Sequence, residues 1–474
     1  MFDAYIAYHA LTRPRAIAVI TPERLATYAE FDADVNRYAA GLVSLNVSSE
    51  RGVAGLDISQ PYRLLVVLVA LARLGVATTT GRDARADFKV SDRPGDISTT
   101  NLRLSRDWLA AVEAAAPDVL GSAPRNPDAL ARVLVTSGTT RTPRRLGLTW
   151  RYLEMSSLTG LAVFGAGRPG LWVPRTGVET GMGFRLAVLA WTVGATVAVG
   201  FFAPDLPSLF ERQVGGTIGL TPNQLRDILA ALPAGFELKP QWRLLVTGAA
   251  LPPSLAREAR LRLTPDILVY YGSTEGGGAA VGPALRLETT PGSFGWPVPG
   301  VTMEIVDETG APLADGEAGE IRIRSPRSAL GYLDAEDQAA GPFRDGWFHS
   351  GDLGRRLADG SYVIEGRVDE RINVGGIKVL PNALEDALLE HPQVRDCAAF
   401  AIPGPDGADE CWMAVVADGD VARESLMAAV RKTGVRLPAI RFAWTEAIPR
   451  SEMGKIDRAA LRAQTSAALA KPGT

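Results

Sequence analysis

Short apolar segments alternate with longer amphipathic segments over roughly the first 290 residues, and this alternation constrains the fold more than any other feature. The apolar segments have the length of β-strands. They are residues 16–20, 131–135, 171–174, 195–200, 243–247 and 266–271. The segments at 28–42, 182–194 and 221–233 have helical periodicity, and in the last one Thr221 is a candidate N-cap followed by Pro222. The pattern predicts an α/β fold with buried, mainly parallel sheets.

The pattern changes after about residue 290, where short alternating strands are separated by Gly, Pro and Asp turns. This texture predicts an antiparallel, β-rich subdomain at about 290–367. A final unit at 368–474 has the order helix, strand, strand, helix and tail, and we expect it to be a small α+β domain. Residues 1–367 would then form a large N-terminal domain.

Charge and composition narrow the class of partner. The net charge of −3 gives no electrostatic reason to bind nucleic acid, so we expect a small-molecule partner. The longest apolar run, at 64–75, is too short to span a bilayer and contains Arg73, so it predicts a buried helix. The N-terminus lacks the order of a signal peptide and the chain has only 2 cysteines, which favours a cytoplasmic protein.

The scarcity of two residue types limits the possible chemistry. The histidines are His9, His349 and His391, too few and too scattered for a histidine triad or a His-rich metal cluster. Only six of the 50 basic residues are lysines. A functional position occupied by lysine is therefore unusual in this chain.

The segment "LVTSGTTRTPRRLGL" at 134–148 has the composition of a phosphate-binding loop. It lacks the GxxxxGK spacing and the following helix of a Walker A loop, and instead predicts a strand, a loop and a second strand. Its hydroxyls, its glycine and its arginines suit an anion. These residues are Ser137, Gly138, Thr139, Thr140, Arg144 and Arg145. By itself, the stretch is more typical of a simple Thr/Gly turn.

Four further motifs follow this loop in order. The set is "TSGTTRTP" (136–143), "YYGSTEGG" (270–277), "GWFHSGDLG" (346–354), "GRVDERINVGGIKVLP" (366–381) and "PRSEMGKIDRAAL" (449–461). The chain resembles the adenylate-forming superfamily, which includes acyl-CoA synthetases, luciferases and nonribosomal adenylation domains. The resemblance implies an N-terminal AMP-binding domain and a mobile C-terminal domain. It also implies that a carboxylic acid and ATP form acyl-AMP and pyrophosphate with Mg²⁺, before acyl transfer to the thiol of CoA or of a phosphopantetheinyl carrier protein.

The resemblance also implies roles for residues around ATP. Tyr271 would pack against adenine, Asp352 would accept both ribose hydroxyls, and Arg367 would lie near the ribose. Thr274 and Glu275 would contact the phosphates, with Glu275 as a ligand of Mg²⁺. The remaining nucleotide-binding positions are Thr136, Ser137, Gly138, Thr139, Thr140, Arg144, Gly248, Ala249, Gly272 and Ser273.

The C-terminal motifs carry the implied chemistry and motion. Lys455 matches the catalytic lysine, a mobile cation that stabilises the transition state of adenylation more than the ground state. Asp369 matches the hinge between the domains. The loop that approaches the thiol acceptor would contain Gly375, Gly376 and Lys378.

The phosphate loop departs from the family pattern. Where the family usually has Gly followed by Pro-Lys-Gly, this chain has Arg141, Pro143, Arg144 and Arg145. Bulk at Arg141 would stiffen or re-aim the loop, so altered kinetics or loss of adenylation are alternatives to full activity. The four intact motifs favour an active enzyme.

Substrate positions follow from motif offsets. They are Glu179, Val246, Gly248, Tyr270, Gly278 and Ala279. Small residues leave room and Tyr270 would close one wall, which favours a hydrophobic aryl or medium-chain acyl acid. Glu179 falls near the acid that holds the amino group in amino-acid-activating relatives, so an amino-substituted acid is an alternative.

Three functions therefore remain open. The leading hypothesis is an acyl- or aryl-CoA synthetase. The second is a stand-alone adenylation enzyme that loads a carrier protein. The third, motivated by the arginine-filled loop, is a non-catalytic protein that binds a nucleotide or an acyl ligand.

Overall fold

The predicted alternation of helices and strands is present in the computed structural model, which confirms the α/β fold class. The structure describes residues 2–94, 100–118, 121, 123, 125–136, 144–164, 170–236, 241–327, 331–334, 341–374, 376–404, 409–435, 439–450 and 455–469. Among the described residues, no helix has both the length and the apolar character needed to cross a membrane.

The described residues form helices and strands as follows. The helices are α1 (Phe2–Thr12), α2 (Tyr28–Ser44), α3 (Pro61–Arg73), α4 (Arg106–Ala114), α5 (Trp150–Phe164), α6 (Gly181–Thr192), α7 (Leu206–Arg212), α8 (Pro222–Ala231), α9 (Pro253–Arg262), α10 (Pro381–Leu389), α11 (Arg423–Arg431) and α12 (Arg458–Leu469). Short 3-10 helices lie at Ser49–Arg51, Ala203–Asp205 and Ala284–Glu288.

The strands are β1 (Ile17–Ile20), β2 (Leu25–Thr27), β3 (Ala54–Asp57), β4 (Thr78–Thr80), β5 (Phe88–Ser91), β6 (Asn101–Arg103), β7 (Leu130–Thr136), β8 (Arg144–Thr149), β9 (Leu171–Pro174), β10 (Thr196–Ala198), β11 (Gly216–Leu220), β12 (Trp242–Val246), β13 (Ile267–Ser273), β14 (Gly277–Pro283), β15 (Ser293–Pro297), β16 (Thr302–Val306), β17 (Gly319–Arg324), β18 (Phe343–Arg344), β19 (Trp347–Arg356), β20 (Tyr362–Arg367), β21 (Ile372–Val374), β22 (Ile377–Val379), β23 (Val394–Pro403), β24 (Asp409–Ala417) and β25 (Ile440–Trp444).

The largest sheet has 14 strands, in the order β16-β17-β19-β20-β15-β14-β13-β12-β11-β9-β10-β1-β2, with β18 paired to β19. The run from β13 to β1 is parallel. From β13 to β16 every pair is antiparallel. The change from helix-connected strands to turn-connected strands in the sequence thus becomes a change from parallel to antiparallel pairing within one sheet.

A second sheet has the order β6-β5-β3-β4-β7-β8, parallel except for the last pair. Strands β7 and β8 are antiparallel neighbours, with Thr136 opposite Arg144. The strand-loop-strand prediction for 134–148 is therefore confirmed. The residues between the two strands, 137–143, lie outside the described residues.

The residues after 367 form the hairpin β21-β22 and the three-stranded sheet β23-β24-β25, with α10, α11 and α12. Their buried apolar side chains form clusters separate from those of the larger sheets. The placement of domain boundaries at 367 and at about 290 stays a prediction.

Local sequence explains several of these elements. Helix α8 begins at Pro222, and the Thr221 side chain accepts a hydrogen bond from the backbone N–H of Gln224, as predicted from the N-cap pattern. The apolar run at 64–75 lies in α3 and is buried. Its Arg73 is only 2% exposed and donates to Asp32 over 2.7 Å, which gives the buried charge a partner.

An ion pair between Arg145 and Asp83 fixes the start of β8. Arg145 Nε donates to Asp83 over 3.1 Å, and the Asp83 carboxylate is almost fully buried. Thr79 and the backbone N–H of Arg85 also donate to this carboxylate. A second acid, Asp334, lies 3.9 Å from Arg145 and is more exposed.

We predict that Asp83→Ala lowers the free energy of unfolding by roughly 2–4 kcal/mol, because it leaves buried donors and most of a buried guanidinium without their carboxylate. Asp334→Ala is the matched control and should cost about 0–1 kcal/mol, since its ion pairs are partly solvated. Urea unfolding of both variants measures the difference. Equal losses would show that Asp83 does not anchor β8.

Candidate functional site

A cleft of about 2960 Å³ lies at the carboxyl ends of the parallel strands, the usual ligand position in open α/β sheets. Strand β12 ends just before Gly248 and Ala249, and β13 ends just before Thr274. Strand β9 ends five residues before Glu179. All four residues line the cleft. The sheet topology thus brings distant parts of the sequence to one place.

The Asp352 carboxylate connects three strands at the floor of the cleft. Tyr271 on β13 donates its hydroxyl to Oδ2 over 2.6 Å, and Arg367 on β20 donates Nη1 to Oδ1 over 3.1 Å. Asp352 on β19 and Arg367 are also register partners in the sheet. Burial raises the pKa of Asp352 above its ordinary value, while the Tyr271 bond and the charges of Arg367 and Lys455 lower it.

Contacts fix both the ring and the hydroxyl of Tyr271. Its ring packs against Phe294 with 4.3 Å between the centroids. Burial, and then the charge of Asp352, raise the pKa of Tyr271 well above its ordinary value. The phenol is therefore neutral and serves as a fixed donor to Asp352.

The turn between β13 and β14 presents Thr274 and Glu275 to the cleft. Ser273 Oγ accepts from the backbone N–H of Gly276 over 2.9 Å, which closes the turn. A Cβ atom at Gly272 would lie 2.3 Å from the carbonyl oxygen of Gly277, so only glycine permits this close strand approach. Gly272 and Ser273 of the "GSTEGG" motif thus maintain the backbone geometry that positions the side chains of Thr274 and Glu275.

Glu275 is oriented by a residue outside the sequence motifs. Tyr332 donates its hydroxyl to Glu275 Oε1 over 3.1 Å. Burial, followed by the charge of Glu275, raises the pKa of Tyr332 to about 12. The Arg144 guanidinium lies over the Tyr332 ring, 5.1 Å from its centroid. Tyr332 therefore joins the end of the phosphate-loop motif to the Thr274–Glu275 turn.

Lys455 lines the same cleft, and its charge acts on Asp352. Just after it, Arg458 at the start of α12 donates to Glu385 over 2.7 Å and lies 3.6 Å from Glu370. Asp369 accepts from Arg367 Nε over 2.9 Å. These contacts place the C-terminal lysine motif beside the segment that contains the predicted hinge.

The structure does not bring all the predicted residues to the cleft. Val246 is fully buried in the core, because its position in β12 directs it away from the cleft wall. Gly278 and Ala279 are also buried within β14 and do not line the cleft. Gly376 and Lys378 are exposed at the β21-β22 hairpin and lie outside the cleft lining.

Other predicted residues fall outside what the structure describes. The hydroxyl and glycine positions Ser137, Gly138, Thr139 and Thr140 and the acceptor-loop residue Gly375 are among them. Thr136 ends β7, but its side chain is likewise not described. The phosphate-loop and acceptor-loop roles of these residues stay predictions.

The residues around Glu275 fit a cation that is held mainly by a ligand's phosphates. No group of three or more His, Cys, Asp or Glu side chains suited to a metal ion occurs within the described part of the chain. Glu275 Oε1 is bonded to Tyr332, and Oε2 has no hydrogen bond to a described residue. One carboxylate oxygen in a cleft suits Mg²⁺, which usually takes few protein ligands beside phosphate oxygens and water.

Among the cleft residues that sequence reasoning missed are two arginines that lie in otherwise apolar elements. Arg132 in β7 is 2% exposed and donates to Thr78 and to the carbonyl of Val178. Burial lowers the pKa of Arg132 to about 10, and the charge of Glu179 opposes this effect. Arg185 in α6 is the other. A single arginine inside an otherwise apolar strand or helix was the available signal for both.

Comparison with known proteins identifies the family. A family model described as AMP-binding enzyme matches residues 85–333, more than half of the chain. The chain belongs to the AMP-binding enzyme family. The resemblance to the adenylate-forming superfamily that the five motifs predicted is therefore confirmed.

Relatives within this family differ in the reactions for which they are named. The medium/long-chain-fatty-acid–CoA ligase FadD8 of Mycobacterium tuberculosis is 32% identical over 235 residues, which cover 46% of this chain and 40% of that protein. The chain thus spans about two fifths of the length of the fatty-acid ligases that it matches. The salicyl-AMP ligase / salicyl-S-ArCP synthetase of the same organism is 32% identical over 71% of this chain and 62% of that protein.

Structural similarity extends over almost the whole chain. The ATP-bound MatB of Rhodopseudomonas palustris has a TM-score of 0.86 and 22% sequence identity, and the match covers 99% of both chains. At this identity the match shows a shared fold. It agrees with the α/β architecture of this AMP-binding family member.

We predict that Gly278→Ala destabilises the protein by about 1–3 kcal/mol, because the added Cβ would lie 1.4 Å from the Tyr270 hydroxyl. Tyr270 is 9% exposed and its ring packs against Phe164, so it has little space to move. Gly121→Ala is the control, since a Cβ there meets no atom within 4 Å. If urea unfolding gave equal stabilities for the two variants, the close Tyr270–Gly278 contact would be refuted.

Proposed function

We propose that this chain activates a carboxylic acid with ATP. A carboxylate oxygen attacks the α-phosphorus, the bond from that phosphorus to the bridging oxygen breaks, and pyrophosphate leaves as acyl-AMP forms. The observation that carries the proposal is the convergence of Asp352, Tyr271 and Arg367 with Lys455 in one cleft.

The nucleotide fits the described groups. Asp352 uses one oxygen for Tyr271 and the other for Arg367, and each carboxylate oxygen has a further lone pair for a ribose hydroxyl. Tyr271, Gly248 and Ala249 line the part of the cleft proposed for adenine. The ribose would therefore be bound by a carboxylate whose orientation is already fixed.

The phosphates would lie at the Thr274–Glu275 turn, with Arg144 nearby. Thr274 supplies a hydroxyl donor, Arg144 supplies positive charge, and Glu275 would be a protein ligand of Mg²⁺. When bound, Mg²⁺ neutralises charge on the phosphate oxygens. Tyr332 keeps Glu275 oriented toward this region through its hydroxyl.

Lys455 would stabilise the transition state. Negative charge shifts from the attacking carboxylate onto the α-phosphate during the reaction, and a nearby ammonium stabilises this arrangement more than the ground state. In a chain with six lysines, a lysine at this position also supports a specific need for a flexible ammonium.

Transfer of the acyl group to a thiol would follow in the same cleft. A thiol sulfur attacks the acyl carbonyl carbon, and AMP leaves as the thioester forms. We infer CoA as the acceptor, with a phosphopantetheinyl carrier protein as the alternative, because relatives named for each reaction are similar to this chain. Asp369 is the proposed pivot that would bring Gly376 and Lys378 toward the thiol, since both are outside the cleft in this conformation.

The body of the acid would contact apolar side chains such as Leu134, Met182 and Val269 on the cleft wall. This lining supports an aryl or medium-chain acyl body. Glu179 is close enough to Arg132 for its charge to act on the guanidinium. That positive neighbour partly offsets the charge of Glu179, which favours a simple acid over the amino-substituted alternative.

Two of the arginines that suggested a non-catalytic protein, Arg144 and Arg145, have separate environments, and the third, Arg141, lies outside the described residues. Arg144 lines the cleft, whereas Arg145 points to the opposite side and pairs with Asp83. Arg145 therefore does not fill the phosphate region. This separation favours a catalytic role over simple ligand binding.

ATP–pyrophosphate exchange over a panel of carboxylic acids tests the proposal, and acid-dependent exchange is the expected result. Protein that binds ATP yet exchanges with no acid would instead be the non-catalytic binding protein. For an active acid, the product mass with CoA or with a phosphopantetheinylated carrier identifies the acceptor.

We predict that Lys455→Ala lowers the exchange rate by roughly 10²–10³-fold, the loss typical when a preorganised charge stabiliser is removed. ATP binding should change much less, because the ribose and adenine contacts remain. Lys432→Ala is the control, since Lys432 is exposed and outside the cleft lining. Exchange that survived in Lys455→Ala at the control rate would exclude the proposed catalytic role.

A further inference from the structure

Arg185 places a half-buried positive charge on the wall of the cleft. It lies in α6, one helical turn after Gly181, and donates Nε to the Gly181 carbonyl and Nη1 to the Tyr152 hydroxyl, both over 3.0 Å. These partners are neutral. Arginine stays charged at any pH at which a protein is folded, and its guanidinium has more N–H donors than these two bonds use.

Within the described part of the chain, no carboxylate neutralises Arg185. The described groups that raise the pKa of Arg185 are the phenols of Tyr152 and Tyr270. Two other arginines of this chain, Arg73 and Arg125, differ in this respect. Arg73 lies 2.7 Å from Asp32, and Arg125 lies 2.6 Å from the fully buried Asp3.

A nearby buried arginine, Arg327, increases the local positive charge. Arg327 is 3% exposed and donates to the carbonyl oxygen of Gly278 over 3.2 Å. Burial lowers the pKa of Arg327, and the charge of Arg185 lowers it further, so the two like charges lie in one region. Tyr270 acts on both arginines. Two like charges in one region, one buried and one half-buried, are costly without a carboxylate among the described residues unless an anion joins them.

We propose that Arg185 binds a second anionic group of the acid substrate, so that the enzyme activates compact acids carrying a further carboxylate or sulfonate. This inference rests on the proposed adenylation function. The apolar part of the wall contacts the body of the acid, and the guanidinium binds the group at its far end.

The spacing in α6 indicates that the substrate is short. A Cβ at Gly181 would lie 3.9 Å from the Thr274 side chain, which borders the proposed reaction centre. Arg185 is one turn further along the helix, roughly 6 Å along its axis. Tyr270 closes the wall nearby with its hydroxyl against Gly278. The two anionic groups of the substrate should therefore be separated by only a few bonds.

ATP–pyrophosphate exchange with matched acids tests this inference. Glutarate is compared with valerate, isophthalate with 3-methylbenzoate, and 3-sulfobenzoate with the same methyl analogue. We expect kcat/KM to be about 10–100-fold higher for at least one doubly anionic acid than for its partner, the range expected for charged hydrogen bonds. The carboxylate and sulfonate arms show which anion is preferred.

Arg185→Met should reduce the preference for that doubly anionic acid by about 10–100-fold, and Arg185→Lys should retain part of it through its charge. Arg423→Met, on the exposed side of α11, is the control for arginine removal and should keep the wild-type preference. Melting temperature and ATP binding check that each variant is folded.

The outcomes separate the two proposals. Equal or better exchange with the singly charged acids would overturn the second-anion inference while acid activation stands. A preference for the doubly anionic acid that Arg185→Met leaves unchanged would overturn it as well. Absence of exchange with every acid would overturn acid activation itself. If Arg185→Met did not fold, a reduced preference for the doubly anionic acid in the folded Arg185→Lys variant would decide in favour, and the full wild-type preference for that acid in the variant would decide against.

Discussion

The buried carboxylate of Asp352 is the interaction on which the site depends. Its bonds from Tyr271 and Arg367 tie the end of the parallel part of the large sheet to the antiparallel part. A carboxylate in this environment is stable because each oxygen has a fixed donor. Loss of either donor would leave a buried charge less compensated and would release the strand ends that define the cleft floor.

The same interaction extends toward the C-terminal residues. Arg367 bonds Asp352 with one nitrogen and Asp369 with others, so the ribose carboxylate and the proposed pivot share one guanidinium. Arg458 then approaches Glu370, next to Asp369, and lies three residues after Lys455. A change at the pivot therefore alters the environment of both Asp352 and the lysine. This coupling gives a physical reason for nucleotide binding and C-terminal movement to depend on each other.

Sequence patterns predicted the parts of the fold that depend on local chemistry. The pattern at 221–233 predicted the N-cap and the start of α8, and the apolar run at 64–75 predicted the buried helix α3. Both predictions were possible because capping and periodicity are local properties. The five ordered motifs predicted the family. Through the family resemblance they also predicted that Asp352, Tyr271 and Lys455 lie in one site, although many residues separate them in the sequence.

Contacts that depend on tertiary structure were not predictable in the same way. Tyr332 orients Glu275 from 57 residues away, and no motif surrounds it. Val246 was expected in the substrate pocket, but a motif offset does not specify which face of β12 a side chain occupies. Arg144 and Arg145 are adjacent yet face opposite sides for the same reason. Arg185 was visible as a charge in an apolar helix, but its lack of a carboxylate partner among the described residues became apparent only in three dimensions.

The most direct test of the central claim is a crystal structure with an adenosine acyl-sulfamate, a stable analogue of acyl-AMP, made with an acid that the protein activates. The account predicts both ribose hydroxyls on the Asp352 carboxylate, the adenine beside Tyr271, and Lys455 at the sulfamoyl group. An adenosine bound away from Asp352, or a Lys455 side chain turned out of the occupied cleft, would contradict it.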